Sequence, residues 1–214
     1  MSFLGRVEGR CPAGCEAGEF EVWSFVRGDL DDGLRLALLA GELNLVMCDG
    51  CSQPFFPDAT LIYSDPRVRL LAFVFPESYK ADEPKWRAKM AEDFAVMRGT
   101  LGPEMPLDCE PEIYFGYGVM RDVLQGEDDR EDEAMVAAYV MKELNLVPFN
   151  VDPAYARRLG LPRFIPLAGP RWSPEAATQG VEALLKANDR LVSFSGWRKA
   201  LAEGGKPPAA PRKA

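Results

Sequence analysis

Two short pairs of cysteines constrain this chain more than any other feature. Cys11 and Cys15 form one pair, and Cys48 and Cys51 form the other. Each pair can supply two sulfur ligands from one tight turn, and two such turns placed face to face make a four-coordinate Zn²⁺ site. The chain contains no histidine, so a metal site must use sulfur, with or without carboxylate. Four thiolate ligands leave no open coordination position, which predicts a structural Zn²⁺ ion and not a catalytic one.

The composition is that of an ordinary globular protein. The chain has 214 residues, 47% of them hydrophobic, which fits one or two domains. Its formal net charge of −8 at pH 7 opposes general binding to phosphate backbones. A nucleic-acid partner is therefore not expected.

The lengths of the apolar segments predict the cellular compartment of the protein. Residues 1–10 lack an apolar stretch long enough for a signal peptide, and the longest apolar run, 70–75, is too short to span a bilayer. The default expectation is a cytoplasmic protein with no membrane partner. In a reducing compartment, paired cysteines are more readily metal ligands than disulfides. Cys109 is left over and is interpreted as a small buried hydrophobe or an idle thiol.

The segment between the two cysteine pairs predicts a strand, a helix and a second strand. Aromatic and β-branched residues over 20–26 are typical of a strand. Asp29 can cap a helix that Gly41 ends, and 43–47 leads into Cys48 as a short strand. After Cys51, residues 60–63 and 68–75 predict a β-hairpin.

An acidic stretch precedes a predicted helix over about 129–145. Carboxylates are favoured at a helix N-terminus, so a solvated cap is the preferred interpretation. The alternative is a contact surface for a basic partner or for a hard cation such as Mg²⁺. The residues of this candidate acidic surface are Asp128, Asp129, Glu131 and Asp132.

These patterns predict an α+β protein. Residues 1–126 form a zinc-ribbon-like β domain with an inserted helix. Residues 127–203 form a mainly helical region, with 151–171 as an extended connection and a helix opening at Ser173. Residues 204–214, rich in glycine and proline at their start, form a disordered tail.

Several motifs occur together in a recognisable order. Cys11-Pro12 opens the first pair, Val22-Trp23 follows, Leu39-Ala40-Gly41-Glu42-Leu43-Asn44 runs into the second pair, and Leu61-Ile62-Tyr63-Ser64-Asp65 comes next. Over roughly residues 6–126 the chain resembles the CpXC domain family of bacteria and archaea. The resemblance implies a metal-binding domain without an established activity. The chain departs from the family pattern in three places: one extra residue in the first pair, Asp49 in place of proline, and Ser64 in place of histidine.

Groups close to the cysteines are candidates to hydrogen-bond the sulfurs. The candidates are Arg10 and the backbone N–H groups around Gly14 and Gly50. Glycine also relieves turns that need a positive φ. Ordinary turn chemistry therefore explains these two glycines equally well.

Three classes of function remain open. The favoured class is a non-enzymatic, zinc-stapled interaction module that binds another protein or self-associates. A nucleic-acid-binding zinc ribbon is the first alternative and would need a basic cluster near the cysteine pairs, yet the net charge opposes it. The candidates for that cluster are Arg6, Arg10, Arg27, Arg67 and Arg69.

An enzyme is the second alternative. Without histidine neither a Ser-His-Asp nor a Cys-His arrangement can form, so a general base would be a carboxylate, a lysine or a tyrosine. The zinc-deaminase pattern is not met, because Ala13 and Ala17 stand where a glutamate is needed. A thiol–disulfide role for Cys48 and Cys51 is conceivable, but metal binding explains their spacing beside a second cysteine pair better. No catalytic residue and no small-molecule substrate can be named.

Overall fold

The computed structural model describes residues 1–101, 109–203 and 206–210. It divides the chain into two units, Met1–Leu124 and Gln125–Ala214. The boundary falls within helix α3 (Tyr117–Glu143). Among the described residues, the structure holds no helix with the length and apolar character needed to cross a membrane.

The first unit is built around a mixed five-stranded sheet. Its strands are β1 (Phe3–Gly9), β2 (Gly18–Arg27), β5 (Leu61–Asp65), β6 (Leu70–Phe75) and β7 (Glu112–Phe115), in that spatial order. A separate two-stranded hairpin consists of β3 (Val46–Met47) and β4 (Pro54–Phe55). The helices are α1 (Asp32–Ala40), α2 (Glu83–Leu101) and the start of α3, with 3₁₀ turns at Pro66–Val68 and Glu77–Asp82.

Helical crossovers produce the two parallel strand pairs of this sheet. Strand β2 runs parallel to β5, and the connection between them includes α1. Strand β6 runs parallel to β7, with α2 in the connection. Strands β5 and β6 form the predicted antiparallel hairpin, with Leu61 opposite Val74. A parallel pair needs a long crossover connection, whereas an antiparallel pair can be joined by a tight turn.

Strand β6 lies at the centre of the hydrophobic core. All six of its residues are buried, because helices cover both faces of the sheet. One face packs Leu70, Ala72 and Val74 against residues of α1 and α3, including Leu38 and Met120. The other face contributes Leu71, Phe73 and Phe75 to a second cluster that includes Met90 of α2.

The second unit is mainly helical. After the rest of α3 it contains β8 (Val147–Asn150), α4 (Pro153–Leu159), β9 (Phe164–Leu167), α5 (Pro174–Ala187) and α6 (Gly196–Ala202), with a 3₁₀ turn at Val192–Ser195. Strands β8 and β9 pair antiparallel. Helix α5 begins at the predicted cap, where the Ser173 hydroxyl accepts a hydrogen bond from the Ala176 N–H at 3.0 Å. Val181, Leu184, Phe194 and Trp197 are fully buried in the core of this unit.

The expected α+β fold with a helical C-terminal part is confirmed. The helix predicted over about 129–145 begins instead at Tyr117, so the interpretation of the acidic stretch as a helix cap is wrong. Burial of Met120 and Leu124 stabilises the added turns, because tertiary packing outweighs the weak helix propensity of Gly118 and Gly126. The connection predicted over 151–171 contains α4 and β9.

The predicted domain boundaries stay predictions. The disordered tail assigned to 204–214 lies partly outside the described residues. Of that tail, the structure pairs 206–210 with residues 150–152, at the end of β8.

Candidate metal centre

Two antiparallel hairpins carry the cysteine pairs at their tips. Strands β1 and β2 end their pairing at Gly9 and Gly18, and the turn between them contains Cys11 and Cys15. Strands β3 and β4 pair Met47 with Pro54, and the turn between them contains Cys48 and Cys51. The sequence folds into hairpins here because each cysteine pair is flanked by short extended segments.

The backbone of the first turn holds Cys11 in a fixed position. The Gly14 N–H donates to the Cys11 carbonyl oxygen at 2.9 Å, and Gly14 has a φ of 82°. A left-handed conformation of this kind favours glycine, because a Cβ atom would strain it.

In the second turn a serine, and not a glycine, takes the left-handed conformation. The Ser52 N–H donates to the Cys48 carbonyl oxygen at 2.7 Å, and the Cys48 N–H donates to the Gln53 carbonyl oxygen at 3.0 Å. Ser52, with a φ of 56°, takes the left-handed conformation. Gly50 is therefore not the residue that needs a positive φ in this turn.

The two turns bring all four predicted cysteines together. Their Sγ atoms lie within 4.8 Å of one another, and those of Cys11 and Cys51 are 3.6 Å apart. A tetrahedral zinc site with Zn–S bonds of about 2.3 Å has sulfur–sulfur edges of about 3.8 Å. The four sulfurs therefore fit a four-coordinate metal ion without a large movement of either hairpin.

Apolar side chains cover one side of the sulfur cluster. Cys11 and Cys48 are buried together with Phe55 in a small hydrophobic cluster that Phe20 and Val46 also contact. The rings of Phe20 and Phe55 meet edge to face, with centroids 5.2 Å apart. Cys15 is half-buried and Cys51 is exposed. The centre is therefore closed on its inner side and open to solvent at Cys51.

Hydrogen bonds and burial shift the pKa values of Cys11, Cys15 and Cys48 in different directions. The backbone N–H groups of Cys51 and Gly50 lower the pKa of Cys48 to about 7. Hydrogen bonds with Cys51 and Cys48 raise the pKa of Cys15 to about 12. The Ala13 N–H acts to lower the pKa of Cys11, but burial and the neighbouring thiols outweigh it and the pKa is raised. A divalent cation removes this conflict, because it stabilises all four thiolates at once.

The candidate groups around the sulfurs have different surroundings. The Gly50 N–H contributes to the low pKa of Cys48, and a Cβ atom at Gly50 would lie 3.5 Å from the Cys15 sulfur. Gly14 shapes its own turn, and the neighbouring Ala13 N–H donates to the Cys11 sulfur at 3.4 Å. Arg10 is exposed. The roles assigned to Arg10, Gly14 and Gly50 stay predictions.

The acidic stretch of α3 does not assemble into a comparable centre. Asp129, Glu131 and Asp132 are exposed, and Asp128 is half-buried. Within the part of the chain that the structure describes, the four cysteines are the one group of three or more ligand side chains that could hold a metal ion. Cys109 is buried in the core beside α2.

Sequence reasoning missed an exposed apolar surface on the metal-bearing hairpin. Leu45, Met47, Pro54 and Phe56 are all exposed, whereas Val46 and Phe55 face the sulfur cluster. The alternation of sides along 45–47 and 54–56 is the signal that could have revealed it. We call these four exposed residues the outer face of the β3–β4 hairpin.

Comparison with protein families identifies a match that includes the metal centre. The family described as CpXC protein matches residues 10–138, a range that includes all four clustered cysteines. No curated protein and no solved structure matches this chain. Because the family match covers more than half of the 214 residues, the chain belongs to the CpXC family.

Proposed function

We propose that this protein is a metal-stapled interaction module. A structural Zn²⁺ ion bound by Cys11, Cys15, Cys48 and Cys51 holds the two hairpin tips together. A partner protein then docks on the outer face of the β3–β4 hairpin. The ion does no chemistry in this proposal, because four thiolates fill its coordination sphere.

The donor set supports zinc as the bound ion. Four sulfur atoms at tetrahedral spacing suit Zn²⁺, and they exclude hard cations such as Mg²⁺ and Ca²⁺, which prefer oxygen ligands. Iron also binds four thiolates in a tetrahedral arrangement. Metal analysis of protein purified without chelator tests this part of the proposal. Zinc at one equivalent per chain is the expected result.

The two faces of the β3–β4 hairpin are the observation that carries the proposal. Val46 and Phe55, which are paired across the hairpin, pack inward against the sulfur cluster. Met47 and Pro54 form the next pair and are exposed. A two-stranded hairpin is marginally stable by itself, so the metal fixes the surface that the outer face presents. Contiguous exposed apolar side chains on an ordered element are typical of protein-binding surfaces.

The charges around the outer face specify the partner. Glu42, Asp49 and Asp58 are exposed within a few residues of it, and the chain carries no lysine or arginine between Arg35 and Arg67. An apolar surface with an acidic border attracts a protein that presents apolar side chains bordered by lysine or arginine. The same charges disfavour nucleic acid as the ligand.

A matched pair of variants tests the docking surface. Met47→Ser changes the outer face, and Leu36→Ser changes an equally exposed apolar residue of α1 that lies elsewhere on the first unit. Proteins that co-purify with the native chain are identified, produced in pure form and measured by calorimetry against both variants. We expect Met47→Ser to weaken binding at least tenfold and Leu36→Ser to leave it unchanged.

The same samples are used to test whether the chain self-associates through the outer face. Sedimentation of the native chain and both variants shows whether a second copy covers the outer face. Equal affinity of Met47→Ser and Leu36→Ser for every partner, with a monomeric native chain, would refute docking at this hairpin. Zinc content is measured separately, so the metal and the docking surface can fail independently.

A further inference from the structure

Residues 206–210 of the second unit pair with residues 150–152, where β8 ends. The Asp152 N–H donates to the Pro208 carbonyl oxygen at 2.9 Å, and the Ala210 N–H donates to the Asn150 carbonyl oxygen at 3.0 Å. Val151 and Ala209 form an antiparallel bridge between these two hydrogen bonds. The other edge of β8 pairs with β9. Residues 206–210 therefore extend the β8–β9 pair by one bridge on its open side, at the end of β8.

Side chains of this segment contact specific places on the unit. Pro207 is buried, whereas the next residue, Pro208, is exposed. The Lys206 ammonium lies 5.3 Å from the ring centroid of Phe149. That ring packs against Trp172 at a centroid distance of 4.7 Å. The ring contact of Lys206 and the burial of the following proline together give this site side-chain selectivity.

This arrangement is that of a peptide bound by strand addition. In that mode the backbone hydrogen bonds of a sheet edge hold any extended segment, and pockets for individual side chains select the sequence. An uncovered strand edge presents unpaired N–H and C=O groups and readily accepts another strand. Two backbone hydrogen bonds and one cation–ring contact hold this segment, so it can detach without unfolding the unit.

We propose that the open side of residues 150–152, at the end of β8, is a peptide-binding site that residues 206–210 occupy in the same molecule. In another protein the matching ligand is an extended segment in which lysine or arginine precedes a proline. The lysine or arginine lies on Phe149, and the following proline is buried where Pro207 is. This site belongs to the second unit and does not depend on the metal centre or on its proposed partner.

Occupancy by the chain's own segment regulates the site. A tethered ligand is present at an effective concentration in the millimolar range, so it lowers the apparent affinity for a free peptide. Releasing the segment therefore increases the affinity for a ligand supplied from outside. Proline keeps such a ligand extended before it binds, which reduces the entropy lost on binding.

Fluorescence anisotropy with a labelled peptide tests the proposal. The probe is a synthetic peptide with the sequence of residues 206–214, titrated with the full chain. Pro207→Asp, which places a charge at the buried position, is compared with Pro208→Asp, which changes the exposed neighbour. We expect Pro207→Asp to bind the peptide at least tenfold more tightly than the native chain, and Pro208→Asp to bind like the native chain.

A second pair of peptides tests the selectivity of the site. Serine in place of the first proline of the probe should weaken binding to the Pro207→Asp chain at least tenfold, and serine in place of the second proline should not. If Pro207→Asp fails to fold, Pro207→Ser replaces it in both measurements. A folded release variant that binds no tighter than the native chain, or that binds both serine peptides equally, overturns the proposal.

Discussion

The side-chain amide of Asn44 pairs with both backbone groups of Trp23. The Trp23 N–H donates to Asn44 Oδ1 at 2.7 Å, and Asn44 Nδ2 donates to the Trp23 carbonyl oxygen at 2.9 Å. Strand β5 pairs with β2 only over Phe25–Arg27. Asn44 therefore takes the place of a neighbouring strand at Trp23 and satisfies backbone groups that β5 does not reach.

Asn44→Ala should destabilise the first unit by about 2–4 kcal/mol, because it leaves the two Trp23 groups unsatisfied and removes the hydrogen bond from Nδ2 to the Tyr117 hydroxyl. Urea unfolding measures the loss. Part of any effect comes from the φ of 64° at Asn44, which alanine tolerates poorly. Asn145→Ala is the control, because Asn145 is exposed and has a φ of 54°. Equal losses at both positions would show that conformation alone explains the effect.

Metal removal should unfold the region around the two hairpin tips. A structural zinc contributes roughly 10–16 kcal/mol of apparent binding energy in small peptides, which is comparable to or larger than the stability of a typical domain. Cys48→Ser or a strong chelator should therefore abolish metal binding and lower the melting temperature, as measured by metal analysis and calorimetry. Cys109→Ala, outside the cluster, should keep the metal. A native melting curve in metal-free protein would contradict the structural role.

The metal ligands were predictable from sequence because each cysteine pair lies within one short turn. The helix ends at Gly41 and Ser173 were predictable for the same reason, since capping is local. The predicted cap at Asp29 was wrong, because Asp31 caps α1 and Asp29 pairs with Arg27. Strand pairing was not: nothing near β2 or β5 indicates that they run parallel, because the pairing depends on where α1 packs. Glu127, which is buried, was also missed, since two of the arginines that pair with it, Arg157 and Arg163, are distant in sequence.

Acidification should destabilise the first unit through Asp29. The Arg27 guanidinium donates two hydrogen bonds of 2.7 Å to the Asp29 carboxylate, and this pairing lowers the pKa of Asp29 below its ordinary value of 3.8. A depressed pKa stabilises the folded state above the unfolded pKa, and the contribution disappears as the pH falls through the folded pKa. The loss should therefore occur below about pH 4.

Unfolding free energies between pH 6 and pH 2.5 measure this loss. The Asp29→Asn chain should show a shallower decrease than the native chain, since it has no carboxylate to protonate at this position. Asp58→Asn, at an exposed carboxylate, is the control and should follow the native curve. If the unfolding free energy of Asp29→Asn decreased with falling pH as steeply as that of the native chain, other groups would be the cause of the acid sensitivity.

Glu127→Gln should destabilise the second unit by about 3–5 kcal/mol, because it removes the negative charge from a buried cluster of ion pairs. Glu127 Oε1 accepts from Arg130 Nη2 at 2.8 Å, Oε2 accepts from Arg163, and Arg157 Nη1 lies 3.8 Å from Oε2. Urea unfolding of the variant measures the change. Glu131→Gln, exposed on the same helix, should change stability by less than about 0.5 kcal/mol. Similar values for both variants would show that the cluster contributes little.

Gly180→Ala tests the contact between α5 and β9. A Cβ atom at Gly180 would lie 2.2 Å from the Pro166 carbonyl oxygen and 2.9 Å from the Leu167 nitrogen. Both are backbone atoms of β9, so the helix must move away from the strand. This overpacking should cost at least about 2 kcal/mol, although alanine favours a helix by about 1 kcal/mol relative to glycine. A Cβ atom at Gly118 in α3 would meet no atom within 4 Å. Gly118→Ala should therefore stabilise the protein through the higher helix propensity of alanine. Calorimetric melting of both variants gives the comparison, and a stabilised Gly180→Ala chain would show that α5 and β9 are not closely packed.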